Sequence, residues 1–169
     1  MQKFIFFILI LLSSWVCSCT VSFVNTGIDY SVLKTFSIEQ FGVKASNAPP
    51  TSGQTFSEQF KDRVLNNTRL AYVNNKADIQ FSGNITSYTI SSLAPQANDN
   101  VAFQRLTIQI SVDFKNTKEK DGSANWTQNF SRFANFSADQ DLGSVEEVLI
   151  QDIYNQVLDD VFNRAFSGW

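Results

Sequence analysis

The chain has 169 residues, 13 basic and 16 acidic side chains, a formal net charge of −3, and no histidine. A hydrophobic share of 43% is enough for a core and argues against a disordered chain, and the length fits one domain. Without histidine there is no HExxH zinc site, Ser-His-Asp triad or Cys-His pair, and the acidic balance argues against nucleic acid as a partner.

The chain opens on what reads as an export signal. Met1-Gln2-Lys3 carries one positive charge, and Phe4 to Leu12 is an unbroken apolar run of nine residues. A spanning helix needs roughly 20 apolar residues, so this run is read as a signal segment and not an anchor. Val16-Cys17-Ser18-Cys19 follows, with an aliphatic at −3 and a small residue at −1 relative to Cys19. That is the pattern of a bacterial lipobox. Cys17 fits less well, because bulky Val16 precedes it; ordinary cleavage with two leftover cysteines is the alternative. The expectation is a signal peptide over 1–18 and a single domain over 19–169, lipid-anchored through Cys19. Several acyl chains on one residue suffice for stable anchoring. No thiol pair then remains for a disulfide.

Residues 20–28 read as extended, with Val21, Phe23 and Ile28 as apolar points. Phe36 and Ile38 alternate with Ser37 and Glu39, which predicts a strand over about 34–41. Asn47-Ala48-Pro49-Pro50 breaks regular structure. A helix over about 53–67 follows, because Phe56, Phe60 and Val64 recur every four residues with Leu65 beside them. Thr55 and Glu58 have capping-box spacing, unless the helix starts further upstream. Leu70–Val73 reads as a short strand.

Two long strands come next. Ile79, Phe81 and Ile85 share one parity, with Gly83 between them; the parity then changes to Tyr88 and Ile90, which predicts a bulge near Thr86-Ser87. After a polar loop over 92–100, Leu106, Ile108, Ile110, Val112 and Phe114 alternate with polar residues. That is a sheet with one covered and one wet face. Residues 115–123 read as a hairpin loop, and the return strand holds Trp126, Phe130, Ala134 and Phe136, with Phe133 on the other parity. A final helix over about 144–166 carries a stripe from Val145 to Val161, broadened by Ile150, Tyr154, Leu158 and Phe162. Ser144 with Glu147 is a second capping-box spacing. The expected fold is α+β, with order β-α-β-β-β-β-α. Two helices pack on one face of a mostly antiparallel or mixed sheet of about four to five strands.

Motifs of catalysis are weak. Ser31-Val32-Leu33-Lys34 matches Ser-x-x-Lys, but no companion Ser-Asp-Asn or Lys-Thr-Gly element accompanies it, so a loop entering a strand is the better reading. Asp139, Asp141 and Gly143 hint at a calcium loop, but the next acids, Glu146 and Glu147, are misplaced for one, and helix-start acids are the better reading. Asp159-Asp160 diverge by about 100° on a helix, so they read as a solvated or partner-facing edge. Sequons at Asn84, Asn125, Asn129 and Asn135 fit an Asn-, Ser- and Thr-rich chain by chance. The expectation is no catalytic residue, metal site or cofactor. Five cations remain as candidates for contact with anionic lipid head groups: Lys115, Lys118 and Lys120 in one hairpin, and Arg105 and Arg132 on adjacent strands that would bring them together. Solubility charge is the plainer reading of all five.

The mature chain resembles the LptE family of lipoproteins, in its Bacteroidota-type branch. The markers run in order: Phe23-Val24-Asn25-Thr26-Gly27-Ile28; Thr55-Phe56 with Thr68-Arg69-Leu70; and Gly83-Asn84-Ile85 with Tyr88. Further on come Arg105-Leu106-Thr107-Ile108, Phe130-Ser131-Arg132-Phe133, Val145-Glu146-Glu147 and Asp160-Val161-Phe162-Asn163 before Trp169. The resemblance implies an outer-membrane lipoprotein on the periplasmic side, a non-enzymatic plug and assembly partner of the LptD β-barrel in lipopolysaccharide transport to the outer leaflet. The basic positions known in proteobacterial members do not map cleanly onto this chain. The alternative is an auxiliary lipoprotein of an ABC-type, MCE-like lipid transporter in the cell envelope; a lipid-anchored hydrolase is disfavoured by the missing nucleophile-base pair.

Overall fold

The computed structural model describes residues 29–94 and 102–166. The signal segment, Cys19, the extended reading of 20–28, residues 95–100 of the polar loop and Gly168-Trp169 lie outside them. In chain order come β1 (Thr35–Ile38), β2 (Gly42–Val43), α1 (Ser52–Asn67), β3 (Ala71–Tyr72), β4 (Ile79–Ser92), β5 (Phe103–Asn116), β6 (Trp126–Ser137) and α2 (Leu142–Phe166).

The alternating strands form the body of the sheet. β4, β5 and β6 pair antiparallel, with Ile79 opposite Asn116 and Phe114 opposite Trp126. The sheet order is β3-β1-β4-β5-β6, and β2 pairs with β4 beyond the end of β1. β1, β2 and β3 all pair parallel, so the sheet is mixed. The register shift between Ile85 and Ser87 is the bulge that the change of parity predicts. It keeps Tyr88 on the covered side after Ile85, where an unbroken strand would turn it to solvent.

Both helices cover the side that carries Ile79, Phe81, Ile85, Leu106, Ile108, Ile110 and Val112. α1 buries Phe56, Phe60 and Val64, and α2 buries Ile153, Tyr154, Val157, Leu158 and Val161. Aromatic rings link the layers: Phe60 lies 4.6 Å from Phe81 and Phe56 lies 5.1 Å from Tyr154, both edge-on. The helices are joined by Gln59 donating to Gln151 at 2.8 Å, by the Arg63–Asp159 ion pair, and by the Tyr154 hydroxyl donating to the Ser52 carbonyl at 3.3 Å. Burial pushes the Tyr154 phenol up to about 12.

The expected strand over 34–41 is two strands. The backbone leaves the sheet between Ile38 and Gly42 so that Phe41 can enter the core, 1% exposed and 4.9 Å from Phe56. The Phe41 N–H is satisfied outside the sheet by Ser57 Oγ, which donates in turn to the Gly53 carbonyl. A side chain at Gly53 would place Cβ 2.0 Å from the Phe41 carbonyl oxygen, so only glycine allows this approach. Gly83 makes the matching space in β4, where a Cβ would meet the Phe41 ring at 2.5 Å.

Neither capping box forms. α1 starts three residues before Thr55, at a Thr51 cap that makes no side-chain bond, and Glu58 accepts from Gln54 instead. α2 starts at Leu142, so Ser144 lies inside the helix and donates to the Asp141 carbonyl. Leu65, placed beside the α1 stripe, is 41% exposed because it sits about 100° away from Val64 around the helix.

Candidate functional site

The side of the sheet that no helix covers is a polar surface three long strands wide. Pairing fixes its rows across β4, β5 and β6. The middle three are Thr89-Thr107-Phe133, Ser87-Gln109-Ser131 and Asn84-Ser111-Asn129. None of these nine side chains carries a charge. Charge enters only toward the ends: Ser91-Arg105-Asn135 at one, and Ser82-Asp113-Thr127 with Gln80-Lys115 at the other. Hydroxyls and amides can donate and accept, so the surface suits a hydrated or polar partner and repels neither sign of charge.

At the Lys115 end the face hollows into a groove of about 430 Å³ lined by Glu39, Gln80, Ser82, Asp113, Lys115 and Asn125, among others. Thr127 donates to Asp113 there at 2.5 Å. At the opposite end the Arg105 guanidinium lies 3.7 Å from the Phe133 ring centroid, and its Nε donates to Asn135 at 2.9 Å. The cation is thereby oriented flat against the sheet.

The five expected cations separate into different settings. Arg105 and Lys115 lie on the open face, at its two ends. Lys115 belongs to β5, opposite Gln80, and not to the hairpin loop. Arg132 stands opposite Ile108 and so faces the helix side. The expected approach of Arg105 and Arg132 does not occur, because strand parity sends them to opposite faces. Arg132 instead donates twice to Asp160 of α2, at 2.6 and 2.7 Å, and this carboxylate raises the guanidinium further above its ordinary value. Lys118 lies 2.8 Å from Asp78, and Lys120 is exposed in the loop. Cys19 lies outside the described residues.

Asp159 and Asp160, read as a solvated or partner-facing edge, point apart as helical spacing requires and each takes a cation. Asp159 holds Arg63 of α1, and Asp160 holds Arg132 of β6. Ser31 and Lys34 belong to a turn: Ser31 donates twice to Asp29, and the Lys34 N–H is held by Asp78. Among the described residues no group of three or more Cys, Asp and Glu could hold a metal ion, and no helix is long and apolar enough to cross a membrane.

Two polar contacts have no counterpart in the sequence reading. Asp78 accepts the backbone N–H groups of Lys34 and Thr35 at 2.9 and 3.0 Å while pairing with Lys118. Burial pushes its carboxyl up, but the Lys118 ammonium and the donors from Lys34 and Thr35 outweigh that and hold it at about 2. It fastens the start of β1, the start of β4 and the 117–125 loop together. Tyr88 donates to Glu146 at 2.5 Å, tying the bulged strand to the first turns of α2; burial and that carboxylate raise the phenol well above its ordinary value. Their partners lie 40 to 58 residues away, and no local pattern announces them.

With the geometry in place, comparison with known proteins places the chain. The family model LptE, described as lipopolysaccharide-assembly, matches residues 33–165. A minor lipoprotein from Acinetobacter baumannii is 12% identical with a TM-score of 0.50, over 79% of this chain and 92% of that one. PelC from Paraburkholderia phytofirmans, solved as a dodecamer, is 8% identical with a TM-score of 0.51, over 82% of this chain and 93% of that one. At these identities the likeness is one of fold. No curated protein matches the sequence.

Proposed function

Because the chain belongs to the LptE lipopolysaccharide-assembly family, we propose that it is an outer-membrane lipoprotein that acts as plug and assembly partner of an LptD-type β-barrel. Cys19 carries the acyl chains and holds the domain at the periplasmic side of the membrane. The observation that carries the reading is the uncovered sheet face, with three consecutive rows of uncharged side chains, eight of the nine hydroxyl or amide. The lumen of a transmembrane barrel is polar and hydrated. A face of this composition can lie in such a lumen without stranding a charge, and its hydroxyls and amides can exchange water for partner groups at little net cost.

In this reading the protein performs no covalent step. Helices and core hold the sheet rigid; the sheet presents the polar face; the anchor sets its depth. Arg105 and Lys115 at the two ends of the face, with Lys120 beyond, are the cations placed to meet phosphates of a lipopolysaccharide or related glycolipid. Lys118 and Arg132 already serve carboxylates and contribute through the fold. Replacing Cys19 by alanine tests the anchor: the variant should leave the outer-membrane fraction when the partner barrel is depleted. Retention of the variant there without any barrel overturns the anchoring role.

A further inference from the structure

β6 closes one side of the sheet. It pairs with β5 over twelve consecutive positions, from Ser137 opposite Phe103 to Trp126 opposite Phe114, and no strand lies on its other side among the described residues. Such a strand presents a row of backbone donors and acceptors to any chain that can lie beside it, and proteins usually blunt this with lysines, prolines or bulges. Trp126–Ser137 contains no lysine, proline or acid, and its register with β5 is unbroken. Its one charge, Arg132, is spoken for by Asp160.

We propose that β6 pairs antiparallel with β6 of a second copy of this chain, about a two-fold axis centred on Ser131. An axis perpendicular to the sheet keeps every side chain on its own face, so opposed residues share a parity and one residue must meet its own copy. The longest overlap puts that residue at the middle of the strand, at Ser131 or Arg132. Centring on Arg132 would set two guanidiniums directly opposite, which destabilises a strand pair. Centring on Ser131 sets hydroxyl against hydroxyl. Phe133, 46% exposed, then meets the copy's Asn129, and on the helix side Phe136 meets the copy's Trp126. The neutrality of the strand favours a copy as occupant: self-pairing opposes no like charges, and nothing on the edge selects a partner by charge. The pairing concerns chains not engaged with a barrel, and its failure would leave the plug reading untouched.

The test uses the full chain, purified in detergent from cells that do not overproduce a barrel. Opposed residues of an antiparallel pair lie within disulfide reach. Ser131→Cys should therefore give a covalent dimer on mild oxidation, well above the wild-type level. Asn135→Cys, which faces the copy's Thr127, should stay at that level. Ser131→Lys opposes two ammonium groups on an exposed face and should weaken self-association by about fivefold in sedimentation. The proposal is overturned if the wild type sediments as a monomer at its highest soluble concentration, or if both cysteine variants cross-link equally. An adduct of Ser131→Cys solely with a different envelope protein overturns it as well, and gives the edge to that protein.

Discussion

The two edges of the sheet are finished by different physics. On the β3 side the strands are two to four residues long, and the backbone steps out of the sheet so that Phe41 can join Phe56 and Phe60 under α1. This edge is held by buried aromatic rings and by Asp78, whose carboxylate gathers three segments. On the β6 side a twelve-residue strand keeps unbroken register; it turns Phe130, Ala134 and Phe136 into the core under α2, and its outer margin is tied to α2 by the exposed Arg132–Asp160 pair and by Arg164 above the Trp126 ring. Buried contacts are strong and specify one geometry; exposed ion pairs contribute little and leave the backbone edge accessible. The difference assigns stability to the broken edge and interaction to the continuous one.

The largest effect should come from emptying the aromatic cluster at the broken edge. Phe60 is fully buried between Phe56 and Phe81. Phe60→Ala should cost about 3–5 kcal/mol in urea unfolding. A loss no larger than that of an exposed-residue variant would contradict the assignment.

Asp78 comes next. Asp78→Ala leaves two backbone N–H groups and the Lys118 ammonium without their acceptor and should cost about 2–3 kcal/mol at neutral pH. The same group gives a pH dependence of known sign. Its folded pKa, about 2, lies below the ordinary 3.8. Its stabilisation is therefore fully present above about pH 4 and is lost as the pH falls toward 2. The stability gap between wild type and Asp78→Ala should narrow across that window in an acid series of thermal melts. A gap unchanged down to pH 2 would remove Asp78 from the latch.

The smallest effect belongs to the continuous edge. Arg132→Ala removes an exposed pair and should leave the urea midpoint within experimental scatter of wild type. A drop approaching that of Asp78→Ala would erase the contrast between the edges.

Much of the architecture is legible in the sequence because it follows from period. The four-residue spacing of Phe56, Phe60 and Val64 gives α1, and strict alternation from Leu106 to Phe114 gives the central strand and both faces of the sheet. The bulge is legible because Tyr88 breaks the parity of Ile85. The face of Arg132 was also within reach, since it shares parity with Phe130 and Ala134 and not with Phe133. What no local pattern carries is the partner of a polar group. Asp160 awaiting Arg132, or Asp78 awaiting Lys34 and Lys118, exists only once distant segments are packed. The broken first strand belongs to the same class: Phe41 leaves the ladder because Gly53 and Gly83 open space for it. The candidate surface divides likewise. Its polar composition is readable strand by strand, while the rows that join it into one neutral face depend on register.

The most direct test of the function is to purify the intact, lipidated chain from native membranes under mild detergent and identify what accompanies it. The account predicts a large LptD-type β-barrel in stoichiometric amount, with cross-links from photoreactive groups at Gln109 and Ser111 on the open face to the wall of its lumen. Recovery without a barrel, or with an MCE-type transport complex in its place, would contradict it.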